Sequence, residues 1–125
     1  MSVLIFALLA GSGGVGAATR FAFDGYLRSR IPIVYPLGTT VINVSGSLFL
    51  GLLTGLAMNH GVPREIELAL GGGFLGGYTT FSTASMETVR LLQQGHPVLA
   101  LINGVGMLIL SVAAAALGVW VGSVF

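Results

Sequence analysis

Residues 71–83 read Gly71-Gly-Gly-Phe-Leu-Gly-Gly-Tyr-Thr-Thr-Phe-Ser-Thr83, with five glycines and, Tyr78 aside, four hydroxyl side chains in thirteen positions. Each glycine weakens a helix by about 1 kcal/mol relative to alanine, so such a cluster favours a break over a continuous helix. The stretch falls in the middle of a candidate membrane span. A break there frees carbonyls and amides that hydrocarbon cannot solvate. They are tolerated only where they are buried in protein or line a cavity or ion site. Thr79, Thr80, Ser82 and Thr83 are at hand to satisfy them, whereas a continuous, closely packed helix would need none of these hydroxyls.

The rest of the chain makes the membrane reading compelling. Of 125 residues, 54% are hydrophobic and only 7% charged, and the mean hydropathy is +0.96. Soluble domains carry about 25% charged residues. A helical span takes about 20 residues, so roughly four spans with short loops consume the chain and leave no room for a soluble domain. The whole of 1–125 is expected to be one four-helix transmembrane domain, all-α. Five arginines, no lysine and four acids give a net charge of +1, which is no nucleic-acid footprint. Without cysteine there is no disulfide framework and no thiolate metal site.

Working outward from the glycine-rich stretch, the third span starts near Glu65 and Glu67, carboxylates suited to the positive end of a helix dipole, and runs to about Gln93. Before it, the second span covers about Leu37 to Met58, with Asn59 to Pro63 as a loop. The first covers about Val3 to Phe23, followed by a polar loop from Asp24 to Arg30 and by Pro32 and Pro36, which delay the next helix. A cleaved secretory leader is the competing reading of the first segment, but it lacks the basic n-region. After a loop at Gly95-His-Pro97, the fourth span runs from about Val98 to Val124, with Trp120 as an interface anchor. Arg28, Arg30 and Arg90, with Arg20 at the border, fall on one side, against Arg64 on the other. The positive-inside rule then puts both termini outside and the first and third loops in the cytoplasm.

Several motifs have a bland and a sharp reading. Gly11-Ser-Gly13-Gly-Val-Gly16 matches the GxGxxG dinucleotide fingerprint, but no acid follows about 20 residues on. Small residues for close helix approach are the better reading, as for Gly51-xxx-Gly55 and Gly73-xxx-Gly77. Asn43, an amide inside an apolar span, is either an interhelical hydrogen-bonding group or a pore-lining donor. Glu87, three residues before Arg90, reads as half of a local ion pair. His60 and His96 fall on opposite sides and share no metal. No Ser-His-Asp set or carboxylate pair can be placed at one depth, so the chain is expected to be a non-enzyme.

Four stretches together resemble the small fluoride channels of bacteria, the Fluc family, also called CrcB: Gly13-Gly-Val-Gly-Ala-Ala-Thr-Arg20, Pro36-Leu-Gly-Thr-Thr-Val-Ile-Asn43-Val-Ser-Gly46, Gly73-Phe-Leu-Gly-Gly-Tyr-Thr-Thr-Phe-Ser-Thr83, and Glu87 downstream. The resemblance implies an antiparallel, dual-topology-type dimer of four-span subunits in the bacterial cytoplasmic membrane. It would have two fluoride pores and a central Na⁺ held by backbone carbonyls, here those of Gly76 and Thr79. It implies Asn43 as the pore amide, Phe81 as the pore aromatic, Ser82, Thr83 and Ser111 in a hydroxyl series, Arg20 at the vestibule, and Glu87 near the polar track. Passive efflux of fluoride would lower its concentration in the cell.

The chain departs from the family pattern at Ala84, where a second pore Phe is common, and at Met107, where a polar residue usually accompanies Ser111. The arginine bias resembles members in which two paralogues of fixed, opposite orientation form a heterodimer, so the partner is either a second copy or such a paralogue. Two other readings are a small four-span secondary transporter, which lacks the membrane carboxylate it needs in span one, and a non-conducting structural partner.

Overall fold

The computed structural model describes residues 2–125. Among these the only regular elements are helices: α1 (Val3–Arg30), α2 (Leu37–His60), α3 (residues 64–78), α4 (Ser82–Gln93) and α5 (Pro97–Val124). Three of them, α1, α2 and α5, are each long and apolar enough to cross a membrane. The third span is made of two half-length pieces, α3 and α4, separated at Thr79–Phe81. The break expected from the glycine cluster is therefore present, at its hydroxyl-rich end.

The glycines themselves relax the helix before it breaks. After one α turn at Arg64–Glu67, α3 widens into a π-helix over Leu68–Leu75 and closes with Gly76–Tyr78. A second π segment, Ile102–Gly106, interrupts α5. Such segments are rare and are often found at functional sites.

The first loop is shorter than the sequence suggested. The segment Asp24–Arg30, expected to be loop, is the last part of α1. Arg28 Nε reaches back one turn to Asp24 at 2.9 Å, and Arg28 and Arg30 sit where cations favour the C-terminal dipole. The 28 residues of α1 span about 42 Å at 1.5 Å each. The charged end thus projects beyond a hydrocarbon layer about 30 Å thick.

The molecule is inside-out by soluble standards. Its buried hydrophobic residues are Ile42, Leu75, Leu91, Ala100 and Met107, while Phe21, Leu108 and Trp120 are among many large apolar side chains facing outward. With lipid as solvent, helices associate through close backbone packing rather than a hydrophobic core. The small-residue motifs supply it. A Cβ on Gly16 would fall on the Phe74 carbonyl and one on Gly77 on the Gly13 carbonyl, which closes α1 onto α3. Gly51 and Gly55 do the same against Ala115 and Val119, and Gly118 and Gly122 against Leu48 and Leu52, which closes α2 onto α5.

Replacing Gly118 with Val should therefore push α5 off α2 and cost about 1–3 kcal/mol. Gly25, whose added Cβ would meet nothing within 4 Å, should accept Ala with no loss. Thermal unfolding of the two purified variants in one detergent checks the contrast.

Candidate functional site

The break is held by one side chain. A continuous helix would spend the Thr80 N–H on the Gly76 carbonyl. Here Thr79 turns to an extended conformation, φ −80° and ψ 159°, and the Thr80 N–H goes instead to Asn43 Oδ1 at 2.8 Å. Asn43 Nδ2 donates to the Thr80 carbonyl, also at 2.8 Å. The amide thus pairs with Thr80 as one strand residue pairs with another, satisfying a donor and an acceptor at once. Of the two readings of Asn43, the interhelical bond is realised, between α2 and the break.

Local groups complete the turn. Thr79 Oγ1 donates to the Leu75 carbonyl at 3.0 Å, and Thr80 Oγ1 accepts from the Thr83 N–H at 3.1 Å, capping α4. Gly46 lets the break come this close, since a Cβ there would collide with the Thr79 methyl and press on the Tyr78 ring. Tyr78 is anchored in turn, its hydroxyl 3.1 Å from Ser45 Oγ on α2.

Beside the break lies a cavity of about 430 Å³ between α2, α3, α4 and α5. Its wall includes Asn43, Gly76, Thr79, Phe81 and Ser111, all singled out in the sequence. Phe81 stands at its edge, 87% exposed on the isolated chain. Ser82 and Thr83 are not part of the wall. The face of α4 that lines the cavity carries Ala84, Ser85 and Thr88, because the turn at 79–81 resets the helical phase after α3. Ser47 and Asn103 also line it and were not anticipated. Asn103 is fully buried, donating to Thr88 Oγ1 at 2.8 Å and to the Ala84 carbonyl at 3.3 Å. As an amide inside an apolar span it carried the same signal that drew attention to Asn43. No acid lines the cavity.

The other two site candidates lie apart from this wall. Arg20 Nε donates to the Gly77 carbonyl at 3.3 Å, on the α1 side of α3. Glu87 is only 5% exposed and does not make the expected local pair with Arg90. Its Oε2 accepts from Arg28 at 2.7 Å, and its Oε1 takes a short hydrogen bond from the buried Thr39 hydroxyl. One knot thus ties α1, α2 and α4 together at the charged end. The packing faces decide the matter: Glu87 turns inward, while Arg90 is exposed. Asp24 completes the knot through Arg28, and its other oxygen rests on Gly38, where a Cβ would collide with it.

Replacing Asn43 with Ala leaves the Thr80 N–H and carbonyl unpaired, a penalty of about 1–3 kcal/mol. Amide hydrogen exchange across residues 79–82 should then speed up by about tenfold or more, while exchange in the middle of α2 stays slow. Mass spectrometry of the exchanged protein reads both regions together.

Comparison with known proteins places the chain in a family. The profile of the family described as CrcB-like protein, Camphor Resistance (CrcB), matches residues 6–119. A relative from Leifsonia xyli named fluoride-specific ion channel FluC 1 is 56% identical over 122 residues, covering 98% of this chain and 89% of the relative. One from Cutibacterium acnes, fluoride-specific ion channel FluC 2, is 48% identical over 113 residues, covering 90% and 92%. A third, fluoride-specific ion channel FluC of Syntrophotalea carbinolica, is 42% identical over 109 residues, covering 86% and 89%. With nearly the full length matched and the broken third span in place, this chain belongs to the CrcB family of multi-pass membrane proteins.

Proposed function

We propose that the chain is a subunit of a fluoride-selective channel that lets fluoride leave the cell passively across the cytoplasmic membrane. The observation that carries this reading is the cavity at the broken span: it offers amide and hydroxyl donors, an aromatic ring and no carboxylate. A small anion leaving water needs donors to replace part of its hydration shell. Asn43, Ser47, Ser85 and Ser111 are candidates around the cavity, whereas the Thr88 hydroxyl is already spent on the Ala84 carbonyl. The Phe81 ring has a positive edge that faces an anion without adding a full charge. The names of the relatives point the same way. Efflux needs no pump, because hydrogen fluoride enters uncharged, dissociates in the less acidic cytoplasm, and leaves the trapped anion to flow out.

A proton-coupled transporter fits less well. Asp24 and Glu87 are tied to Arg28, and Glu65 and Glu67 occupy the first turn of α3, so no carboxylate is free at the cavity to exchange protons.

The exposed Phe81 beside an open cavity suggests that the working unit is a dimer whose second subunit, oppositely oriented, covers this face. Ser82 and Thr83 would then turn toward that subunit's side of the pore, and Arg20 would draw anions to the vestibule. Glu87 would act from the knot as the buried end of the polar track. The arginine asymmetry favours a partner of fixed opposite orientation, a paralogue, over a second copy. The numbering of relatives as FluC 1 and FluC 2 is in keeping with such pairs.

A central Na⁺ is compatible with the break. The Gly76 carbonyl is released from its helical partner, the chain turns at Thr79, and carbonyl oxygens are the hard donors that such an ion takes. Gly76 and Thr79 from two subunits would hold it, where it would fix the crossing of the two breaks.

Liposomes containing the protein, alone or assembled with a paralogue, should release fluoride selectively over chloride, as read by ion-selective electrodes. Asn43→Ala should cut that flux by about tenfold or more, the worth of one hydrogen bond to an ion, and Phe81→Ile, which removes the ring edge, should lower it as well. Unchanged flux in both variants would overturn the assignment of the site.

A further inference from the structure

The pairing of Asn43 with Thr80 uses the amide oxygen and one N–H, which fixes the plane of the side chain. It also fixes the amide's orientation, since a flipped amide would set N–H against N–H at the Thr80 nitrogen. The second N–H is therefore aimed, and it meets the sulfur of Met107 on α5 at 3.2 Å. Met107 is buried and lines the same cavity. A thioether is a weak acceptor, well below a carbonyl or hydroxyl. Asn43 is thus held firmly on one side by Thr80 and loosely on the other by sulfur.

On the reading of the cavity as a fluoride pathway, the geometry points to Met107 as a displaceable acceptor that sets the affinity of Asn43 for the anion. In the empty channel its sulfur gives the half-buried outward N–H a partner, which limits the cost of withdrawing that donor from water. When an anion arrives, the N–H exchanges a weak partner for a charged one at little loss. A strong acceptor at position 107 would compete with the ion. An apolar side chain there would leave the N–H free and raise the affinity. Met107 is accordingly a positioning and specificity-setting residue, acting through Asn43, and its replacement of the polar residue common in the family is a functional difference rather than a defect.

The three asparagines, Asn43, Asn59 and Asn103, make the test tractable. In the assembled channel, labelled with ¹⁵N-asparagine in detergent micelles, sodium fluoride should shift the Asn43 amide proton that faces sulfur and leave its neighbour facing Thr80 nearly still. Sodium chloride should move neither, and Asn43→Gln identifies the signal by removing it. In flux assays Met107→Leu, which keeps the volume and removes the acceptor, should lower the half-saturating fluoride concentration about threefold. Met107→Gln, which adds a strong acceptor, should raise it by about as much or more.

Shifts of the same sign in both variants would reduce Met107 to a packing residue and overturn the inference. So would an Asn43 signal indifferent to fluoride in a protein that conducts it, and the channel reading would survive. A responsive Asn43 signal in a protein that carries no fluoride would uphold the site and overturn the channel.

Discussion

A membrane span can leave helical geometry only if each freed N–H and carbonyl finds a partner, and here the Asn43 amide supplies both partners for Thr80. Much else depends on that pair. It fixes where α3 stops and how α4 restarts, and so which face of α4 meets the cavity. It also orients the remaining Asn43 N–H toward the cavity wall. A structural bond and, on the proposed reading, a binding donor are therefore compatible within one amide.

The glycines serve this arrangement by proximity more than by flexibility. Gly46 brings α2 against the break closely enough for Asn43 to reach it, and the Gly16 and Gly77 contacts seat α3 on α1. At the far end the chain uses charge for the same purpose. Asp24, Arg28, Glu87 and Thr39 lock three helices together. That knot lies near the C-terminal end of α1, where Arg28 is half exposed and Glu87 is buried. Between these two fastenings the cavity stays open, its largely apolar wall set with amides and hydroxyls.

Much of this was legible in the sequence, because composition, span length and glycine clustering are one-dimensional signals. The break, the closely approaching small residues and Asn43 could be read from it, while Phe81 and Ser111 at the cavity were pointed to by the family resemblance. The features that could not be read depend on phase. The π-helical widening over Leu68–Leu75 and the turn at Thr79–Phe81 each rotate the residues beyond them, so the cavity face of α4 falls on Ser85 and Thr88, whereas the family resemblance alone pointed to Ser82 and Thr83. The partner of Glu87 was hidden for a related reason: Arg90 is near in sequence, whereas the Arg28 side chain reaches Glu87 only once α1 extends through Asp24–Arg30. Asn103 was legible but unread, since a buried amide in a span is as informative in α5 as in α2.

The most direct test of the account is the distance between the Asn43 side-chain nitrogen and the Thr80 carbonyl carbon in lipid bilayers, measured by solid-state NMR with ¹⁵N-asparagine and ¹³C-labelled threonine. A strong dipolar coupling, as required by a hydrogen bond of 2.8 Å, is the predicted result. A weak coupling, together with a Thr80 amide bonded back to the Gly76 carbonyl in a continuous helix, would contradict the account.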